Sequence, residues 1–184
     1  LSHRPTADEL TAALPEVLNA PKTGSAVEML CLRPGYGQRN FVKSLTVTRD
    51  RGIPGERWET SPWLKLENGQ GHPGVQVSIL PRRVLDLVWR DREGTPHPGD
   101  TFVCDLDTSE ANLPEGQLLS VGTAVLRVSE VWNDGCAKWK VRYGEAAYDW
   151  IGEPAHRHFR LRGVLCSIVG DGVIRLGDPV RVLR

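Results

Sequence analysis

The chain has 184 residues, enough for one domain that buries roughly 70% of the surface its unfolded chain exposes. Its 23 lysines and arginines balance 23 aspartates and glutamates. Charges of both signs are interspersed, so no overall field recruits nucleic acid or an anionic membrane. No apolar run approaches the ~20 residues that span a bilayer. Leu1-Ser2-His3-Arg4-Pro5 has no apolar signal-peptide core behind it, and a cytoplasmic location is the expectation. The first residue is not methionine, which leaves trimming or a boundary open.

In chain order, Thr6-Ala7-Asp8-Glu9 reads as a capping box. Leu10, Ala13, Leu14, Val17 and Leu18 follow at helical spacing, with Pro15 as a conflict that predicts a kink or a division. Pro21 to Gly24 punctuates. The pattern then becomes extended: 27–32 and 40–47 read as strands around a Pro34-Gly35-Tyr36-Gly37 turn. Residues 74–80 alternate, and 82–89 form a short helix carrying Val84, Leu85 and Val88 on one face. Further strands are expected at 101–106, 118–121, 124–131, 162–169, 173–176 and 179–183. The stretch 51–74, rich in Gly and Pro and carrying Trp58 and Trp63, reads as a loop covering a site. Many short strands with only two or three helices predict a mainly β, barrel-like fold with a few peripheral helices.

The four cysteines are separated by 73, 32 and 30 residues. No CxxC spacing or secreted disulfide framework appears, so the thiols are expected to be reduced. Cys31, Cys104 and Cys166 lie in apolar runs, where cysteine behaves as a small inert hydrophobe. Cys136 differs. It sits in Trp132-Asn133-Asp134-Gly135-Cys136-Ala137-Lys138-Trp139-Lys140, a polar, turn-like stretch in which Lys138 and Lys140 favour the nucleophilic, metal-binding thiolate. A plain free loop cysteine is the alternative. His72-Pro73-Gly74 and His97-Pro98-Gly99 are turn chemistry first. His156 and His158 would share a face of an extended segment, but two ligands without a third make no zinc motif. No phosphate-binding loop, nucleophile elbow or dinucleotide fingerprint is present.

Several segments, in order, resemble the MOSC family, named for the C-terminal domain of molybdenum-cofactor sulfurase. They are Gly52-Ile53-Pro54-Gly55-Glu56-Arg57-Trp58, Gly99-Asp100, 105–116, 121–129, Gly135-Cys136-Ala137-Lys138-Trp139, Tyr143-Gly144-Glu145-Ala146, and 161–180. Glu56 stands where the family usually has aspartate. The resemblance spans roughly residues 25 to 183 and implies an N-terminal helical extension over 1–24 followed by a MOSC domain over 25–184.

What it implies chemically is molybdenum cofactor bound through Cys136. The cysteine would either ligate the metal during reduction of an N-hydroxylated small molecule or carry sulfur as a persulfide. The first role calls for an electron-donor protein as partner, the second for a cysteine desulfurase. The cofactor carries a phosphate, for which Arg57, Lys138, Arg160 and Arg162 are the candidate cations. Asn112 is the candidate for the pterin edge. Trp132, Trp139 and Trp150 bracket the cysteine and either wall a flat ligand or pack the core. A non-catalytic barrel acting as a binding module, or a cofactor carrier, stays open beside these readings.

Overall fold

The computed structural model describes residues 4–184; residues 1–3, part of the expected N-terminal extension, lie outside the described residues. Helix α1 (Ala7–Leu18) opens on the expected capping box: Glu9 N–H donates to Thr6 Oγ1 at 3.2 Å, and Thr6 N–H donates to Glu9 Oε2 at 2.8 Å. Pro15 neither ends nor divides the helix. It lies on the solvent side, as does Thr11, whose carbonyl it leaves without an N–H partner, so water replaces the missing bond.

The strands are β1 (Ser25–Leu32), β2 (Asn40–Phe41), β3 (Ser44–Val47), β4 (Val77–Pro81), β5 (Phe102–Cys104), β6 (Leu118–Val121), β7 (Ala124–Val128), β8 (Val164–Gly170), β9 (Gly172–Arg175) and β10 (Pro179–Leu183). Seven of them close a barrel in the order β10-β6-β7-β8-β4-β5-β1, with Ser25 opposite Val180 completing the circuit. The fold is therefore the expected mainly β barrel. Strand β2 hangs from the end of β1, while β3 and β9 form a separate antiparallel ribbon. The segment 40–47, read as one strand, is thus two short strands with different partners.

Helices α2 (Arg57–Thr60), α3 (Arg82–Val88), α4 (Ala137–Tyr143) and α5 (Glu145–Gly152) complete the structure. Among the described residues no helix is long and apolar enough to cross a membrane. Two apolar cores result. One fills the barrel, with Val77, Ile79, Phe102, Cys104, Leu126 and Cys166 among its members. The other lies between the barrel and α1, α3, α4 and α5, and takes Leu80 and Val103 from the outward side of β4 and β5. All five residues of β4 are buried. A strand covered on both faces need not alternate polar and apolar residues; of the alternating stretch 74–80, the strand takes 77–80, and Gly74 and Val75 lie in a 3₁₀ turn. The helices α4 and α5 were not expected; they place Trp139, Tyr143, Ala147 and Trp150 in the second core.

Candidate functional site

Cys136 is exposed, whereas Cys31, Cys104 and Cys166 are buried. Burial pushes the Cys31 thiol up to about 11 and the Cys166 thiol up to about 12, and Cys104 is raised as well. These three are protonated, inaccessible core atoms. Cys136 precedes α4 in extended conformation, and its carbonyl accepts from Trp139 N–H at 2.8 Å. Its side chain makes no capping hydrogen bond. The backbone is fixed and the sulfur is free.

The sulfur-bearing segment lines a cleft of about 570 Å³, a size suited to a small ligand. Arg33, Arg162 and Lys138 supply its cations, and Trp63 and Trp132 its aromatic surface. Arg33 follows β1 and Arg162 precedes β8, so they enter from strands separated by β5 and β4. Each is held by a buried carboxylate. Arg33 Nε donates to Glu56 Oε1, and Glu56 Oε2 caps α2 through Trp58 N–H at 3.2 Å. Arg162 Nη1 donates to both oxygens of Asp100, at 2.9 and 3.0 Å, while its guanidinium lies 4.7 Å from the Trp139 ring centre. Between them the lining is backbone at Gly99, φ +96°, where a Cβ would stand 3.2 Å from Arg39 Nε and 3.6 Å from Arg33 Cδ.

The 51–74 segment, read as a loop covering a site, contributes Trp63 to the lining of the cleft. It is anchored by Trp58, whose indole N–H donates to His72 O at 3.0 Å. Its ring passes so close to Gly52 and Gly71 that a Cβ at either would come within 2.7 and 2.8 Å of it. Trp63 projects from this loop with 60% of its surface exposed. On the opposite rim, Lys138 Nζ lies 3.8 Å from the centre of the Tyr36 ring, and Arg57 is 5.6 Å from the same ring. The Lys138 ammonium, ahead of Arg57 and Arg142, holds the Tyr36 phenol below its usual range.

The residues singled out from sequence therefore separate. Cys136, Lys138 and Arg162 share the cleft. Arg57 lies just outside it, lining a neighbouring recess with Arg33 and Trp63. Arg160 lies behind Trp132: its guanidinium is 5.1 Å from that ring, beside Arg157 at 4.2 Å, and Nη1 donates to Leu113 O at 2.6 Å. It supports a wall of the cleft without lining it. Asn112 is not at the cleft. It is buried, donates to Lys22 O and Asp107 O at 3.0 and 2.8 Å, and accepts from Arg184 Nη2 at 3.0 Å, which leaves no polar atom for a ligand. Trp139 and Trp150 belong to the second core. His156 sits in a 3₁₀ turn with Nδ1 2.7 Å from Trp150 O, not on an extended segment. Among the described residues no group of three or more His, Cys, Asp or Glu is placed to hold a metal ion, so a metal here would draw on Cys136 and on ligands brought by a cofactor.

Sequence reasoning missed Arg33, which carries no motif, and the roles of Glu56 and Asp100, which were visible only as members of matching segments. No family profile matches the chain, and no curated protein matches it in sequence. Solved structures do. YuaD protein from Bacillus subtilis is 20% identical, with a TM-score of 0.61 over 87% of this chain and 95% of that one. A structure described as a hypothetical protein is 17% identical, with a TM-score of 0.56 over 89% and 68%. YiiM from Escherichia coli is 17% identical, with a TM-score of 0.52 over 88% and 69%. The fold is MOSC-like. At such identities the likeness speaks for the fold alone.

Proposed function

We propose that the chain is a MOSC-family protein that holds molybdenum cofactor in the Cys136 cleft and reduces N-hydroxylated small molecules. The observation that carries this reading is the placement of the one exposed cysteine of the four on a cleft lined by arginines and indoles. The donor set fits the group. A thiolate is a soft ligand suited to molybdenum, and Arg33, Lys138 and Arg162 would hold an anionic phosphate through charge-assisted hydrogen bonds. Trp63 and Trp132 offer flat apolar surface to a pterin, and Gly99 lets it approach the backbone. When bound, the cofactor supplies redox chemistry at the metal. The protein's own part is to fix the sulfur through the start of α4, to orient the anionic end, and to narrow solvent access with the 51–74 loop.

Reduction of an N-hydroxy compound to the amine and water consumes two electrons and two protons. An electron-donor protein of the cytoplasm is the partner this reading requires. In the sulfur-carrier reading, Cys136 would instead hold a transient persulfide delivered by a cysteine desulfurase.

Molybdenum content after expression in a cofactor-competent host tests the proposal. The expected result is stoichiometric molybdenum in the wild type and a lowered content in Cys136→Ser. Folded wild-type protein without molybdenum, carrying instead the mass of one extra sulfur on Cys136, would favour sulfur carriage. Folded protein with neither would leave a binding barrel.

A further inference from the structure

Glu56 and Asp100 are the only carboxylates among the described residues that are fully buried, each 2% exposed. Asp100 lines the cleft and Glu56 the neighbouring recess that shares Arg33 and Trp63 with it, and each is paired with an arginine that lines the cleft. Burying a carboxylate is costly unless it is paired and hydrogen-bonded, so two at one site are not incidental to packing. Each pair also leaves donors over. Only Nε of Arg33 and only Nη1 of Arg162 are bonded to protein among the described residues. None of their remaining nitrogens is buried without a partner. Those donors belong to two residues that line the cleft, Arg33 just after β1 and Arg162 just before β8.

We propose that Glu56 and Asp100 are positioning residues, each fixing one guanidinium so that its unused N–H groups converge on the same anionic ligand. Glu56 does so while capping α2, which ties the orientation of Arg33 to the loop that carries Trp63. Asp100 grips Arg162 from one side as Trp139 supports its face. Flexible arginines would reach the same anion only by giving up side-chain freedom at binding; held arginines have given it up on folding. The inference rests on the cleft being an anion-binding site, as the proposed function requires, but not on the presence of molybdenum.

Charge and positioning predict opposite outcomes. Neutralising either carboxylate makes the cleft more positive, so a purely electrostatic role would tighten anion binding. A positioning role would loosen it. The probe is inorganic phosphate, titrated calorimetrically at constant ionic strength into cofactor-free wild type, Glu56→Gln, Asp100→Asn and Glu56→Asp, with folding checked by circular dichroism. The expected result is saturable binding by the wild type, weakened about tenfold in Glu56→Gln and in Asp100→Asn through loss of an oriented charge-assisted contact. Glu56→Asp, which keeps the charge that holds Arg33, should recover most of the affinity. If a neutralised variant fails to fold, Arg33→Lys and Arg162→Lys keep the cation but not the fork of donors, and should weaken phosphate to a similar degree. Absence of phosphate binding in the wild type, or unchanged or tighter binding in the variants, overturns the inference. Phosphate binding that weakens in the variants, by a protein that takes up no molybdenum, would uphold it while removing the proposed function.

Discussion

The barrel interior and the cleft beside it solve opposite problems with neighbouring residues. Phe102, Cys104 and Ile79 fill the barrel, whose core cluster among the described residues is apolar throughout. Two residues before Phe102, Asp100 is also buried, and both of its oxygens accept from Arg162. The segment that leads into β5 thus borders a region stabilised by excluding polar groups and one where a buried ion pair is held for use. Buried ion pairs are weak evidence for stability, and their concentration at the cleft is why we assign them to function. The cysteines divide along the same line: Cys104 and Cys166 are core atoms, while Cys136 ends a polar loop.

The largest contrast should appear in thiol chemistry. Alkylation of the native protein with iodoacetamide, followed by mass spectrometry, should modify Cys136 alone, more than about a hundredfold faster than the buried thiols. All four cysteines should react after unfolding. Native labelling of Cys31, Cys104 or Cys166 would dissolve the contrast between core and cleft. Next in size, Phe102→Ala should destabilise the barrel by about 3–5 kcal/mol in urea unfolding, while leaving Cys136 accessible.

A third test lies at the border. His97 is buried between Phe41 and Trp89, its Nδ1 accepts from Gly99 N–H, and burial pulls its pKa down to about 4. The unfolded chain then binds the proton more readily than the native one. The stability His97 contributes is full above about pH 6.5 and is lost as pH falls from there to about 4, a total of about 3 kcal/mol. Unfolding free energies over that range should slope accordingly, and the slope should flatten in His97→Phe. The smallest effect belongs to the rim. Tyr36 is 74% exposed and its ring meets Lys138 and Arg57 at the surface, so Tyr36→Ala should cost no more than about 1 kcal/mol.

The barrel was legible because short strands punctuated by Gly and Pro carry their own signal, and the Thr6–Glu9 cap announced α1. The α4–α5 pair was less so. Trp139, Tyr143, Ala147 and Trp150 do recur at helical spacing and share one core. Gly144, at φ +98°, breaks the run into helices of seven and eight residues, too short for periodicity to stand out locally. The segment 40–47 misled in the other direction, since one extended pattern serves two sheets. At the cleft, Cys136 and Lys138 were visible because they are neighbours in sequence. Arg33, Glu56, Asp100 and Arg162 were not visible as a set, since only the closing of the barrel brings them to one place. Asn112 looked like a ligand-reading residue because its segment matches the family; its partners Lys22 and Arg184 lie 90 and 72 residues away.

The most direct test of the account is X-ray absorption at the molybdenum edge of the cofactor-loaded wild type beside Cys136→Ser. If the Cys136 sulfur is a ligand, the wild type should show one more sulfur neighbour at the metal than the variant retains. Identical sulfur shells in the two proteins, at equal metal content, would contradict the account.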